Sequence, residues 1–227
     1  MYDRLNSPVF VTGADRSGMM IISQVLNLCG GFSGFCNDKY ENIQIKRLVD
    51  NYYTDLGLSP KGQYPLPETK KLFIPTNWKE SILKIVQSEG YKGQVWMYQS
   101  PRITQLWPIW NYAFPDAKWI VIRRKPHEII NSCLNTGFMT AFASDAYQKE
   151  VDVLTESDGW KWWIHEHEKR FVEMIESGVN CKVLWPERMI NGNYQQVLEM
   201  LDWNHLRWNE KVIPLVNRLL RLEGWHS

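Results

Sequence analysis

The chain has 227 residues, of which 44% are hydrophobic and 22% are charged. This composition is typical of a folded globular protein, excludes an intrinsically disordered chain, and fits a single domain over residues 1–227. The formal net charge of +1 gives no overall attraction to nucleic acid or to an anionic membrane, so we expect neither as a partner.

The cysteines and the N-terminus indicate a cellular location. Cys29, Cys36, Cys133 and Cys181 form no CxxC pair, match no zinc-site spacing and suggest no disulfide framework, which favours a reducing compartment. The N-terminal residues show no signal-peptide pattern, and no apolar run reaches membrane-spanning length. We therefore expect a cytoplasmic protein without a structural metal.

Strand-like apolar segments alternate with helical patterns along the chain. PVFVT at 8–12 predicts a buried strand, 17–28 predicts the helix that follows it, and the Pro- and Gly-rich stretch 57–75 predicts an irregular surface excursion. Further helices are predicted at 39–56, 78–89, 102–113, 127–135 and 159–178, further strands at 93–101, 116–126 and 181–186, and two more helices at the end. This alternation predicts an α/β fold of three layers, with a mostly parallel central sheet flanked by helices.

The turn after the first strand, Gly13-Ala14-Asp15-Arg16-Ser17-Gly18, has the outline of a phosphate-binding loop. Its backbone N–H groups and the start of the next helix can form a nest for an anion. Met19 and Met20 stand where an ATP- or GTP-binding loop has a lysine and a hydroxyl residue, which disfavours an ordinary NTPase. Arg16 supplies a cation instead. The alternative is a strand-to-helix turn that binds no ligand.

A second polar segment, VIRRKPHEIINS at 121–132, covers the end of the strand at 116–126 and the start of the next helix. Arg124 comes after the strand, and Ser132 lies eight residues later on the predicted helix, where the two could clamp an anion. Arg123 must point to the other side, because successive residues of a strand face opposite ways. The alternative is a solvated basic turn.

Together these two segments resemble the sulfotransferases that use 3′-phosphoadenosine-5′-phosphosulfate (PAPS). That family has Lys or Arg, then Ser, then Gly in its phosphate loop, which matches DRSG at 15–18. It also has an Arg followed by Pro two residues later and Ser eight residues later, which matches Arg124, Pro126 and Ser132. CKVLWPERM resembles the family's late strand, which ends in an acidic residue, here Glu187.

The resemblance implies a P-loop NTPase-like sulfotransferase fold and PAPS as the cofactor, with no metal required. Arg124 and Ser132 would bind the 3′-phosphate, and Arg16 would be the catalytic cation that stabilises charge on the oxygen bridging to sulfur. The loop would hold the 5′-phosphosulfate through Gly13, Ala14, Arg16, Ser17, Gly18, Met19 and Met20.

The chain departs from the family pattern at three positions. Many members have two Thr where this chain has Met19 and Met20, and they often have a Lys where it has Gln99. Gln99 brings no charge, although Arg102 is a nearby cation that could replace it. Two alternatives therefore stay open: a non-catalytic or diverged anion- or nucleotide-binding protein, and a small-molecule kinase with an altered loop.

Transfer to an alcohol or amine also needs a base. Several branches of the family carry a Glu-containing segment where this chain has GFCNDKYEN, so Glu41 is the first candidate and Asp38 the second. The alternative is a solvated helix start. The acceptor is expected to be a small molecule, glycan or peptide, bound in a cleft built by the irregular stretches 57–75 and 136–158.

Overall fold

A single parallel sheet organises the protein. The computed structural model describes residues 4–222, with the side chains of residues 4–221. The strands are β1 (Val9–Gly13), β2 (Gly31–Phe32), β3 (Val95–Gln99), β4 (Lys118–Ile122) and β5 (Cys181–Leu184). They lie in the order β2-β3-β1-β4-β5, and each neighbouring pair is parallel. The predicted α/β class is therefore confirmed.

Helices cover both faces of this sheet. In chain order they are α1 (Met19–Leu28), α2 (Ile43–Asp55), α3 (Trp78–Ser88), α4 (Arg102–Gln105), α5 (Trp107–Ala113), α6 (Pro126–Leu134), α7 (Asp145–Glu150), α8 (Glu156–Glu176), α9 (Glu187–Ile190), α10 (Gln195–Trp203) and α11 (Val212–Leu222). Two short 3₁₀ turns, Thr69–Lys71 and Ala141–Ala143, interrupt the longer connections.

The two faces of the sheet differ in chemistry because strand side chains alternate. Phe10 of β1 packs on one face with aromatic residues of β3, β4, α2, α3 and α5. Val9 and Val11 pack on the other face with aliphatic residues of α1, α10 and α11. The structure thus has the three predicted layers, with an aromatic core on one side of the sheet and an aliphatic core on the other.

The predicted helix at 39–56 was wrong at its start. Residues before Ile43 form a turn instead, in which the Oδ1 atom of Asn37 accepts the N–H groups of Lys39 and Glu41 at 2.9 and 3.0 Å. The side chain of Asn42 then caps α2 by accepting two of its first N–H groups. Glu41 therefore precedes the helix and lies in a fixed turn.

The other differences are small. The predicted helix at 102–113 is divided at Leu106, because Pro108 has no N–H to donate to the carbonyl four residues earlier. The chain end has three helices where two were predicted, since the four-residue α9 precedes α10 and α11. The edge strand β2 is only two residues long and was not predicted.

The topology creates a crevice at the carboxyl end of β1. β1 is followed by α1 on the aliphatic side of the sheet, whereas its neighbour β3 is followed by α4 and α5 on the aromatic side. Connections that leave in opposite directions open the space between two strand ends, which is where ligands bind in sheets of this kind. The predicted phosphate loop lies at this point.

Two sequence expectations concern features outside the crevice. Within residues 4–222, no helix has the length and apolar character needed to cross a membrane. All four cysteines lie in this part of the chain and are free thiols, as expected. The prediction of one domain over 1–227 includes residues 1–3 and 223–227, which lie outside the described residues.

Phe10 should be a major source of stability, because its fully buried ring packs edge-on against Trp96, Trp110, Phe114 and Trp119. Phe10→Ala should lower the free energy of unfolding by about 3–5 kcal/mol, measured by urea denaturation. Tyr112→Ala is the control: that ring is 71% exposed, so the change should stay within about 0.5 kcal/mol. Similar losses in both variants would contradict this account of the core.

Candidate anion-binding and active site

The predicted phosphate loop connects β1 to α1 and presses against the end of β4. A β-carbon added at Gly13 would lie 2.4 Å from the carbonyl oxygen of Ile122, so only glycine allows this approach. Gly18 has a φ of 94°, in the left-handed region that glycine adopts without strain, and it is the N-cap residue of α1. The loop is therefore held close to the point where Arg124 leaves β4.

Three of the predicted site residues meet around this loop. Ser132, on α6, accepts a 2.8 Å hydrogen bond from the Nε atom of Arg16. Arg124 donates from Nη1 to the backbone carbonyl of Arg16 at 3.2 Å, and its Nε atom donates to Glu128 at 2.9 Å. Arg124 and Ser132 thus approach Arg16 from two sides, and three basic and hydroxyl side chains share one corner of the crevice.

Arg123 and Arg124 point to different parts of the protein, as strand alternation predicts. The Arg123 guanidinium forms a salt bridge with Glu168 of α8 and lies 5.0 Å from the ring centroid of Trp185. Arg124 is buried, with only 8% of its surface exposed, and faces the loop. Only Arg124 is therefore placed to act at the crevice.

The loop also offers groups suited to bind an anion. The first N–H groups of a helix have no acceptor within it, which applies to Met19 and Met20 at the start of α1. The hydroxyl of Ser17 is fully buried and has no hydrogen-bond partner among the described residues. A buried orphan hydroxyl in a loop of this shape fits an anionic ligand.

A cavity of about 340 Å³ opens beside the loop. The loop and α1 form one wall, and residues of the segments 39–46, 60–63 and 99–102, together with Phe138, form the others. Both irregular stretches that were expected to build an acceptor cleft therefore contribute to it. That the cavity binds an acceptor stays a prediction.

Gln63 ties these two stretches together. Its side chain is buried, donates to the carbonyl of Phe138 at 2.7 Å, and accepts the N–H groups of Thr140 and Ala141 at 3.0 and 3.1 Å. Three hydrogen bonds to one buried carboxamide therefore connect the two stretches in the cavity wall.

Glu41 lies inside this cavity and is only 6% exposed. Its Oε1 atom accepts a 2.7 Å hydrogen bond from the hydroxyl of Ser100 and lies 3.5 Å from Nη2 of Arg102. Asp38, the second candidate base, is exposed and does not line the cavity. The geometry therefore favours Glu41 over Asp38 as a group that can reach a bound hydroxyl.

Arg102 has a different role from the one that the sequence suggested. It is 4% exposed, donates to the carbonyl of Pro60 at 2.9 Å, and forms salt bridges with both Asp50 and Glu41. Two carboxylates neutralise its charge, so it orients Glu41 and does not replace the cation missing at Gln99. The sequence analysis missed Ser100 and Asp50, because their link to Glu41 depends on contacts over 59 and 52 positions.

Asp15 is a loop residue to which the sequence pattern assigned no role, and it also lines the cavity. Its Oδ1 atom accepts the N–H of Arg16 at 2.9 Å. Loss of hydration raises the pKa of the Asp15 carboxyl above its ordinary value, and this effect outweighs the opposing charges of Lys39 and Arg16. A carboxylate in an anion-binding loop is unfavourable for the anion, so protonation of Asp15 should favour binding.

Two remaining expectations can be placed in the structure. Glu187, the acidic residue after the late strand, accepts the N–H of Lys125 at 3.0 Å and so joins the ends of β5 and β4. Within the described residues, no three His, Cys, Asp or Glu side chains group as potential metal ligands. The expectation that no metal is required stays a prediction.

Comparison with solved structures identifies the fold. The sulfotransferase STF9 from Mycobacterium avium matches with a TM-score of 0.56 and 14% identity, over 95% of this chain and 68% of that chain. The sulfotransferase STF1 from Mycobacterium tuberculosis H37Rv matches with a TM-score of 0.52 and 13% identity, over 93% and 70%. The chain has a sulfotransferase fold.

The relationship does not extend to recognisable sequence similarity. No protein-family model matches the chain, and no curated protein matches it. At identities of 13–14%, the likeness shows the fold alone. The activity has to be argued from the residues themselves.

Asp15→Asn should strengthen anion binding at neutral pH about tenfold, because it removes a charge beside the loop while keeping an oxygen that can accept the Arg16 N–H. Sulfate is the probe, since its charge is constant over this range, and its binding is measured as a rise in melting temperature. The wild-type affinity should increase as the pH falls through the raised pKa of Asp15, whereas the variant should show no such increase.

Asp116→Asn is the matched control for this prediction. Asp116 is exposed and precedes β4, so it lies at the amino-terminal end of the strands, whereas the loop follows the carboxyl end of β1. Its variant should bind sulfate like the wild type. An Asp15→Asn variant with unchanged sulfate affinity at pH 7 would show that the carboxylate does not face the anion.

Proposed function

We propose that the protein is a PAPS-dependent sulfotransferase that moves a sulfuryl group to a hydroxyl or amine acceptor. The observation that carries this proposal is the meeting of Arg16, Arg124 and Ser132 at the carboxyl ends of β1 and β4. Two motifs more than a hundred residues apart are brought into direct contact, in a sulfotransferase fold and beside a cavity that holds Glu41.

The residues present fit a donor that carries two separate anionic groups. The buried, unpartnered hydroxyl of Ser17 and the first N–H groups of α1 suit the 5′-phosphosulfate. Arg124 and Ser132 suit the 3′-phosphate, and their contacts with Arg16 link the two anion sites. Met19 and Met20 would then contribute only backbone donors, as would Gly13, Ala14 and Gly18.

When bound, PAPS would supply a sulfuryl group on an oxygen that bridges to its 5′-phosphate. Glu41 would accept the proton of the acceptor hydroxyl while the acceptor oxygen forms its bond to sulfur. Arg16 would stabilise the negative charge left on the bridging oxygen when the bond between that oxygen and sulfur breaks. Ser100 and Arg102 would hold the Glu41 carboxylate in orientation.

The two alternatives make different demands on the site. A small-molecule kinase needs a lysine that reaches the terminal phosphates and a hydroxyl that binds magnesium. This chain has Met19 and Met20 at those two positions of the loop. A non-catalytic anion-binding protein would need no base, yet Glu41 is buried, oriented and adjacent to the loop. We therefore favour the transferase, in the reducing, cytoplasmic compartment that the sequence suggests.

Binding of adenosine 3′,5′-bisphosphate tests the donor assignment, with adenosine 5′-monophosphate as the ligand that lacks the 3′ group. Calorimetry should show tighter binding of the bisphosphate, and Arg124→Ala should reduce that advantage by about 1.5–3 kcal/mol. Arg123→Ala should preserve it, because that guanidinium pairs with Glu168. Tighter binding of magnesium-ATP than of the bisphosphate would favour the kinase and contradict the proposal.

Glu41→Gln tests the base. The carboxamide keeps the size of the side chain and an oxygen that can accept from Ser100, but it cannot take a proton at neutral pH. Turnover of PAPS should fall about 10²–10⁴-fold, with bisphosphate affinity unchanged. Slow hydrolysis, with water as the acceptor, provides the assay.

Asp38→Asn serves as its control, since Asp38 is an exposed carboxylate of the same segment, and it should retain the wild-type rate. A large loss in Asp38→Asn with none in Glu41→Gln would exchange the two roles. Tight bisphosphate binding by the wild type without any PAPS turnover would favour the non-catalytic alternative.

A further inference from the structure

The charges that line the cavity are unequally compensated. Lys46 pairs with Asp50 at 2.7 Å, and Arg102 pairs with both Asp50 and Glu41, so these two cations and two carboxylates neutralise one another. Lys39 and Lys61 also line the cavity, and no carboxylate among residues 4–221 lies within salt-bridge distance of either ammonium. Neither lysine therefore forms a salt bridge, although the charge of Lys39 also acts on the Asp15 carboxyl in the same lining.

These two lysines come from different segments of the cavity wall. Lys39 follows the turn made by Asn37, and its Nζ atom lies 3.5 Å from the ring centroid of Phe138. Lys61 follows Pro60, whose carbonyl is held by the buried Arg102. Both lysines therefore extend from backbone that is held by hydrogen bonds.

Gln99 gives an independent indication of what the cavity binds. The residue is only 6% exposed, lines the cavity, and its Oε1 atom has no hydrogen-bond partner among the described residues. A buried carboxamide without a partner in the cavity lining favours a ligand with a hydrogen-bonding group. A hydroxyl can both donate to and accept from a carboxamide, so it can pair with either of its polar atoms.

Phe138 supplies the one aromatic surface of the cavity lining within the described residues. The remaining lining combines charged and polar side chains with Met19, Met20 and two prolines, and a volume of about 340 Å³ is at the small end for a ligand pocket. The ammonium of Lys39 covers the Phe138 ring, so a small molecule with several hydroxyls suits this cavity better than an extended hydrophobic acceptor.

We propose that the acceptor is an anionic polyol, namely a sugar-like ring that carries a carboxylate, phosphate or sulfate group. Its anionic group would bind Lys39 and Lys61 at the mouth, and one hydroxyl would form a hydrogen bond with the Gln99 carboxamide. This inference rests on the proposed sulfotransferase function and specifies its acceptor.

Calorimetric titration of four sugars tests the inference, with the protein saturated by adenosine 3′,5′-bisphosphate so that the phosphate loop is occupied. The probes are methyl glucoside as the neutral reference and glucuronate, glucose 6-phosphate and glucose 6-sulfate as its anionic counterparts. At least one anionic sugar should bind about tenfold more tightly than the reference, and the advantage should shrink at high salt. The three anions distinguish which anionic group is preferred.

Variants connect that preference to the residues. The double variant Lys39→Ala/Lys61→Ala should bind the charged and neutral sugars equally, while its affinity for the bisphosphate is unchanged. Lys92→Ala is the matched control, because Lys92 is exposed and precedes β3, at the amino-terminal end of the strands and away from the cavity. Gln99→Ala should weaken binding of all the sugars that the wild type binds.

The outcomes separate the inference from the function on which it rests. If the protein binds the bisphosphate but shows no preference for an anionic sugar, or binds no sugar at all, the acceptor assignment is wrong and the proposed sulfotransferase function is unaffected. If the double lysine variant loses affinity for the bisphosphate, the lysines belong to the donor site, and the acceptor assignment is again wrong. If the wild type does not bind bisphosphate, the function fails, and titration of the sugars alone then decides whether the lysine subsite exists.

Discussion

The approach of the phosphate loop to the end of β4 is the contact on which the site depends. A loop that carried any side chain at Gly13 would be pushed away from the carbonyl of Ile122. At the observed distance, Arg124 reaches the backbone of Arg16, and Ser132 reaches its side chain. Two strand ends and one helix therefore act as a single unit, although each contributes only one or two polar groups.

The charged side chains around this contact differ in whether they are paired. The buried network of Glu41, Arg102 and Asp50 is closed, since each charge has a partner and the Pro60 carbonyl takes a further N–H. Buried charges are tolerated only when they are paired in this way. Asp15 is the exception inside the loop, because among the side chains of residues 4–221 none forms a salt bridge with it, and loss of hydration raises the pKa of its carboxyl.

At the mouth, by contrast, Lys39 and Lys61 remain available to a ligand because they are exposed and keep their hydration. The paired charges of the interior are less sensitive to salt than the exposed lysines at the entrance. The hydrogen bonds of Gln63 connect the two irregular stretches that form this entrance.

Several parts of this arrangement could be predicted from local sequence. Alternating apolar strands and periodic helices specified the layers, and the glycines with Arg16 specified the loop. The spacing from Arg124 to Ser132 specified a pair of residues near it. The helix boundary before Glu41 was misjudged because hydrogen bonds from Asn37 and Asn42 compete with helix formation, and apolar periodicity does not register them.

By itself, the sequence determined the α/β class, the position of the predicted phosphate loop and the divergence of Arg123 from Arg124. These depend on neighbours along the chain, through strand alternation, helical period and glycine conformation. Tertiary structure alone decided that Arg102 is neutralised, that Ser100 binds Glu41, and that Gln63 joins the two excursions. Those contacts link residues 52 to 78 positions apart, and their energy depends on burial and pairing that no local pattern contains.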